Sequence, residues 1–205
     1  MSTTGKSPID FWFDFSSPYS YLLSERIDEL AARFGRKVRW HPILLGVVFK
    51  ATGSAPLTLQ VPAKANYWLI DFERSARFMG IPYRHPSQFP LATQNAARAY
   101  YWLHGQDCAL ARAFAHAVFR ALFADNRDIS APEAVLDIAT KLGVDRVALE
   151  AALQDPAIKE RLKDEVDNAI RIGVFGAPYV LIDGQPFFGA DRLPQIEKWL
   201  ETGGF

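Results

Sequence analysis

Sulfur is scarce in this chain: it has one cysteine, Cys108, and two methionines. A single cysteine cannot close an intrachain disulfide, and it cannot supply a two-cysteine metal or redox pair. Cys108 falls between helical segments, where a small packed apolar residue is expected. Long apolar runs are also missing. None approaches the roughly 20 residues a transmembrane helix needs, and the N-terminus has no basic segment leading into an apolar block and cleavage site. Both absences point to a cytoplasmic protein. Nor is charge of either sign in excess, since 23 Lys and Arg residues offset 23 Asp and Glu residues and no long basic run stands out. A nucleic-acid or anionic-membrane surface has little support on that count, and a small molecule or a protein is the expected partner. The four histidines, His41, His85, His104 and His116, have neither helical metal spacing nor acidic partners in pattern, so no metal site is expected.

What the chain does have is an ordinary globular composition, 49% apolar and 22% charged, which leaves only a small polar tail, residues 1–8, outside a core. Its 205 residues suit one domain, or a small domain with a second unit inserted into it. From Ile9 to Phe15, apolar and aromatic residues interleave with Asp10 and Asp14, which reads as a strand feeding a turn. Ser17 then caps a helix with Pro18 at N1, where a missing N–H does no harm. Tyr19, Leu22, Leu23, Ile27, Leu30 and Phe34 recur at helical spacing until Gly35 ends the run. A second strand from Val38 to about Ile43 completes the start of a βαβ unit.

Helix then follows helix through residues 61–172. Ser130 and Glu133 have capping-box spacing, and two later helices begin at Asp145 and Asp155. Strand chemistry returns after Ala177-Pro178, with Asp183-Gly184 as a hairpin signal between two short apolar runs. Asp191 starts a last helix with Leu193, Ile196, Trp199 and Leu200 on its buried side. The predicted fold class is α/β: a thioredoxin-like β-α-β / β-β-α domain, residues 9–60 and 173–205, discontinuous around a large all-helical insertion, residues 61–172.

In that layout a redox protein carries Cys-Pro-Tyr-Cys at its first helix, and here the stretch is Ser17-Pro18-Tyr19-Ser20. Six stretches, "FDFSSPYSYL", "LLGVVFKATGSAPL", "PAKANYWLIDFER", "PSQFP", "IGVFGAPYVLIDG" and "FFGADRL", resemble in order the motifs of 2-hydroxychromene-2-carboxylate isomerases, over about Ile9 to Leu200. These are glutathione-dependent enzymes of the kappa-class glutathione transferase group, with a DsbA-like thioredoxin fold. The resemblance implies a homodimer, glutathione as cofactor, and a serine that binds the glutathione sulfur, which falls on Ser17. It also implies glutathione contacts from Lys64, from Ala177 before Pro178, and from Ala190 and Asp191. One position departs from the kappa pattern: where those transferases tend to have Asn after Gly, the shorter Ser54 follows Gly53 and would reach the ligand through water.

Each assignment has a chemical rationale and a plainer alternative. A serine hydroxyl is too weak an acid to ionise, so Ser17 cannot replace a redox cysteine. At a helix N-terminus, however, free N–H groups and the macrodipole favour an anion to which the hydroxyl can donate. Pulling a thiol from a pKa of about 8.5 to roughly 6.5 needs about 2.7 kcal/mol. A charge-assisted hydrogen bond contributes roughly 1.5 to 3 kcal/mol and a helix terminus about 0.3 to 2, which suffices. The plainer role of Ser17 is a helix cap. A cis Ala177–Pro178 bond would face that helix terminus and present the Ala177 backbone to an extended tripeptide; the alternative is a proline that merely opens a strand. Lys64 could meet a carboxylate and Asp191 the amine, or the two could be a solvated lysine and a cap, with Arg192 holding Asp191. Phe49, Tyr67 and Trp68 flank the Lys64 motif and are candidates to line a pocket for a planar aromatic substrate, although most aromatics here belong to the core.

By resemblance, the reaction interconverts 2-hydroxychromene-2-carboxylate and trans-o-hydroxybenzylidenepyruvate in bacterial breakdown of naphthalene-type aromatics. A kappa-like transferase or peroxidase acting on other electrophiles is the nearest alternative. A dithiol oxidoreductase is disfavoured by the absence of cysteine at positions 17 and 20. A non-catalytic binding or chaperone module is the alternative of another class.

Overall fold

A computed structural model describes residues 6–205; of the polar tail expected over residues 1–8, residues 1–5 lie outside the described part. The first strand sets the layering. Along β1 (Ile9–Phe13), Phe11 and Phe13 face one side of the sheet and Asp10 and Trp12 the other, because successive side chains alternate. Next come α1 (Pro18–Arg33), β2 (Val38–Pro42) and α2 (Leu45–Thr52), then six helices: α3 (Pro62–Met79), α4 (Gln94–His104), α5 (Cys108–Phe123), α6 (Pro132–Thr140), α7 (Arg146–Gln154) and α8 (Pro156–Arg171). The hairpin β3 (Tyr179–Ile182) and β4 (Gln185–Phe188) and the helix α9 (Leu193–Thr202) follow. The sheet order is β2-β1-β3-β4, with β1 parallel to β2 and antiparallel to β3, and β3 antiparallel to β4. This is the thioredoxin-like arrangement with a helical insertion between β2 and β3. The hairpin turns at Asp183 and Gly184, both at positive φ (51° and 85°), as an Asp-Gly turn of this length requires.

The inserted helices are packed into the sheet. Phe13 meets Phe119 of α5 at 5.5 Å and Tyr100 of α4 at 6.1 Å between ring centroids. The hydroxyls of Tyr100 and Tyr101 donate to the carbonyls of Trp40 and Pro42, at 3.2 and 2.8 Å. All these rings are buried, each contributing about 1.5–3 kcal/mol relative to exposure, and the two tyrosines satisfy carbonyls at the middle and the end of β2.

Three local expectations change. Cys108 is exposed rather than packed: it is the first residue of α5, Asp107 caps the helix, and the sulfur lies 3.6 Å from His104 Nε2. The pair Ser130 and Glu133 forms no capping box. Pro132 takes N1, which moves the cap to Ala131, and the Ser130 N–H is taken by Asp128 at 2.8 Å. Asp191 does not start the last helix; it sits in a 3₁₀ turn, Ala190–Arg192, and α9 begins at Leu193 with Pro194 in its first turn. No described helix is long and apolar enough to cross a membrane, and the described residues contain no group of three or more His, Cys, Asp or Glu able to hold a metal ion.

On the other sheet face, His41 lies between two carboxylates. Its Nε2 is 2.9 Å from Asp10 and its Nδ1 is 3.5 Å from Glu165 of α8, with Trp12 stacked on the ring at 4.9 Å. Burial disfavours the imidazolium, yet the two carboxylates outweigh it and raise the His41 pKa. The bond from His41 lowers Glu165; Asp10 is lowered too, because His41 and Arg39 outweigh its burial. Stability from a raised histidine is fully present below its unfolded value, about 6.5, and is lost as pH rises through the folded value. The two carboxylates contribute above about pH 4.3 and lose their contribution in acid. In urea unfolding followed from about pH 5.5 to 9, the stability difference between wild type and His41→Gln should therefore shrink as pH rises. A difference independent of pH would mean that the charge on His41 does not act.

Candidate functional site

Ser17 is the N-cap of α1, with extended backbone (φ −91°, ψ 113°), and its Oγ accepts from the Ser20 N–H at 3.1 Å. The single hydroxyl proton goes across the fold to the Ala177 carbonyl at 3.0 Å. The Ala177–Pro178 bond is cis, and the Pro178 carbonyl accepts from the Gly189 N–H at 3.1 Å. A loop 160 residues away in sequence is thereby brought to the first turn of α1. Ser20, at the second position of the replaced cysteine pair, is fully buried in that turn.

Around this junction lies a cavity of about 1280 Å³. Its wall includes Ser17, Ala177 and Pro178, the segment from Gly189 to Pro194, the end of α2 with Phe49, Ser54 just beyond it, and one face of α3. That face shows helical spacing: Tyr67 and Trp68, Asp71 and Phe72, Ser75, then Phe78 and Met79. Of the residues expected from sequence, Ser17, Ser54, Ala177, Pro178, Ala190, Asp191, Phe49, Tyr67 and Trp68 all line the cavity. Lys64 does not. It is exposed in the first turn of α3, one turn before Tyr67 and Trp68 on the same helical face. Asp191 is paired with Arg192 at 3.2 Å. Beside it, a Cβ at Gly176 would come within 2.7 Å of the Phe188 ring, which would have to shift to admit it.

Asp14, which is not among the residues expected at the site, holds the cavity floor. Its carboxylate is 2% exposed and accepts four hydrogen bonds: from Ser16 N (2.8 Å), Ser16 Oγ (2.9 Å), Thr93 Oγ1 (3.0 Å) and Leu45 N (2.6 Å). Burial pushes this carboxyl up, and the four donors oppose that shift without cancelling it. A charged residue inside an otherwise apolar strand-to-turn run is the signal that could have marked it. The second unheralded feature is Tyr19, whose hydroxyl donates to Asp71 of α3. Replacing Asp14 by Ala would strand two backbone N–H groups and two hydroxyls, at about 1–3 kcal/mol for each donor left without a partner. Asp14→Ala should lose at least about 3 kcal/mol in urea unfolding, and Asp14→Asn, which keeps one acceptor oxygen, about half as much. A loss below about 1 kcal/mol in Asp14→Ala would show that water replaces the carboxylate freely.

Comparison with known proteins agrees with this architecture. The family model of the DSBA-like thioredoxin domain matches residues 8–201. A 2-hydroxychromene-2-carboxylate isomerase of Pseudomonas putida is 32% identical over 193 residues, covering 93% of this chain and 92% of its own. Glutathione s-transferase kappa 2 of Caenorhabditis elegans is 30% identical over 204 residues, covering 94% of this chain and 91% of its own. The solved structure of a 2-hydroxychromene-2-carboxylate isomerase superposes with a TM-score of 0.83 at 31% identity, covering 94% of each chain. The chain belongs to the DSBA-like thioredoxin-domain family, within the 2-hydroxychromene-2-carboxylate isomerase branch that the motif order indicated.

Proposed function

We propose that this chain is a glutathione-dependent isomerase that interconverts 2-hydroxychromene-2-carboxylate and trans-o-hydroxybenzylidenepyruvate in the cytoplasm. The observation that carries the reading is the Ser17 hydroxyl, a single donor at a helix N-terminus, inside a cavity that also contains the Ala177–Pro178 loop. The residues present fit glutathione. Ser17 can turn its proton from the Ala177 carbonyl to a thiolate, exchanging a neutral hydrogen bond of about 0.5–1.5 kcal/mol for a charge-assisted one of about 1.5–3. Ala177 offers backbone to an extended peptide, Asp191 offers a carboxylate to an amine, and Lys64, one turn before Tyr67 and Trp68 on α3, offers an ammonium to a carboxylate. Ala190 closes the site with a small side chain, and Ser54 reaches it through water.

Bound glutathione supplies a nucleophilic sulfur whose reversible addition to a conjugated side chain lets a double bond rotate. The chain's own part is to keep that sulfur ionised at Ser17 and to hold the aromatic acceptor flat beside it. Phe49, Tyr67 and Trp68 provide that wall. The volume supports both occupants, since about 1280 Å³ exceeds the range of roughly 300–1,000 Å³ usual for a site holding one small ligand. A homodimer belongs to the same reading, and the exposed apolar residues Leu59, Val61 and Ile70 offer surface for it; sedimentation at micromolar concentration tests it.

The Ser17→Ala variant should lose about 10- to 100-fold in kcat/KM, the worth of one charge-assisted hydrogen bond, and the bound thiol should titrate at higher pH. Retained activity would remove Ser17 from its role. Glutathione should be recovered intact after many turnovers. Its consumption in step with product would instead indicate a kappa-like transferase or peroxidase, and no binding at millimolar glutathione a non-catalytic module.

A further inference from the structure

The cavity wall formed by α3 is weakly anchored. Of the 18 residues of α3, Phe72 and Ala76 are the buried ones, while Tyr67 is 50% and Ile70 60% exposed. The C-terminal end has fastenings of its own: Arg26 of α1 donates to the Met79 carbonyl at 2.5 Å, and Tyr21 to the Pro82 carbonyl at 2.9 Å. Further toward the N-terminus, the polar tie from α3 to α1 is the bond from the Tyr19 hydroxyl to the Asp71 carboxylate. Tyr19 stands two residues after Ser17, in the same first turn. Its ring packs edge-on against Phe72 at 5.0 Å and Trp68 at 6.2 Å. Asp71 also accepts from Arg74 and, at 3.4 Å, from the Tyr67 hydroxyl, and the Arg74 guanidinium lies 5.6 Å from the Tyr67 ring. One carboxylate therefore gathers both aromatic wall residues, Tyr67 directly and Trp68 through Tyr19.

We propose that Tyr19 and Asp71 form a positioning pair that fixes the aromatic wall of α3 at a set distance from Ser17, and that this bond aligns the acceptor with the sulfur. The inference rests on the glutathione-dependent reading and adds two residues to it. The polarity of the bond is fixed. Burial and the neighbouring carboxylate push the Tyr19 phenol well above its ordinary range; Asp71 is held below its own, because its hydrogen bonds from Tyr19 and Arg74 outweigh its burial. Tyr19 thus stays the donor throughout the pH range in which a thiol titrates, so the pair orients and does not exchange protons with the reaction. Loss of the bond unfastens this part of α3 from α1, and Tyr67 and Trp68 shift with it, while Arg26, Tyr21 and Phe72 keep the C-terminal end of the helix in place.

The test uses Tyr19→Phe, Asp71→Asn and the double variant of the full chain, with 2-hydroxychromene-2-carboxylate and glutathione as probes. Each single variant should raise KM for the aromatic substrate about tenfold, the low end for a hydrogen bond to a charged group. The double variant should be no worse than either single one. Glutathione affinity and the pH midpoint of thiolate ultraviolet absorption in the glutathione complex should stay at wild-type values, which a general loosening of the fold would not allow. Unchanged KM in both single variants, additive losses, or a parallel loss of glutathione binding would overturn the pair. A wild-type chain that binds no glutathione would overturn the parent reading and the pair with it, whereas wild-type turnover with indifferent variants would overturn the pair alone.

Discussion

The constraint on which the site depends is the burial of one carboxylate. Asp14 directly follows the first strand at 2% exposure, and a carboxylate so placed must collect donors or give up its charge. It collects them from three separated segments: the turn before α1, the start of α2 and the residue before α4. Each segment is fixed because the carboxylate needs it. The cavity is what remains between them, so the floor under Ser17 follows from a desolvation penalty being met.

The frame of this fold was legible because it is written in period and punctuation. Alternation in β1, Ser17-Pro18 at the start of α1, Gly35 at its end and Asp183-Gly184 in the hairpin are local signals, and each does locally what its chemistry prescribes. The nine expected cavity residues were legible for another reason: they sit in motifs whose order resembles a family. What stayed hidden was tertiary. Nothing near Asp14 in sequence says that Leu45 and Thr93 will approach it, and nothing near Tyr19 names Asp71, 52 residues on. Two of the local departures share one cause. At Ser130 and at Asp191 a good capping residue was followed within three positions by a proline, and the proline fixed where the helix began. Cys108 departs for another reason: composition speaks of residue types, whereas its position at N1 of α5 decides its exposure.

Replacing the cysteine pair by serine also changes what the helix terminus must do. A protein thiolate would carry a permanent anion there and would need only to be stabilised. Ser17 is neutral, and its proton has a partner already in the Ala177 carbonyl. Any anion must therefore compete with a carbonyl for one proton, and it wins by the difference between a charge-assisted and a neutral hydrogen bond, about 1 kcal/mol or somewhat more. That margin is small enough to leave the site selective: a neutral ligand gains nothing from it.

The same margin makes the surrounding charges matter. Asp14 has its pKa raised by burial, so the folded chain binds that proton more tightly than the unfolded chain does. By linkage, the ionised carboxylate costs stability as pH rises from the unfolded value, about 3.9, to the folded one, and the cost persists above it. Four donors keep the cost tolerable, and two of them, Ser16 and Thr93, are hydroxyls that could reverse as acceptors if the carboxyl took its proton. A second anion brought to Ser17 would meet this carboxylate across the floor of the same cavity, and like charges in a poorly solvated site raise each other's proton affinity. The helix terminus and the hydroxyl must therefore outweigh Asp14 as well as the ordinary proton affinity of a thiol. A floor carboxylate whose four acceptor positions are already filled imposes less of that repulsion than a bare one, because its charge is drawn toward the donors that hold the fold together.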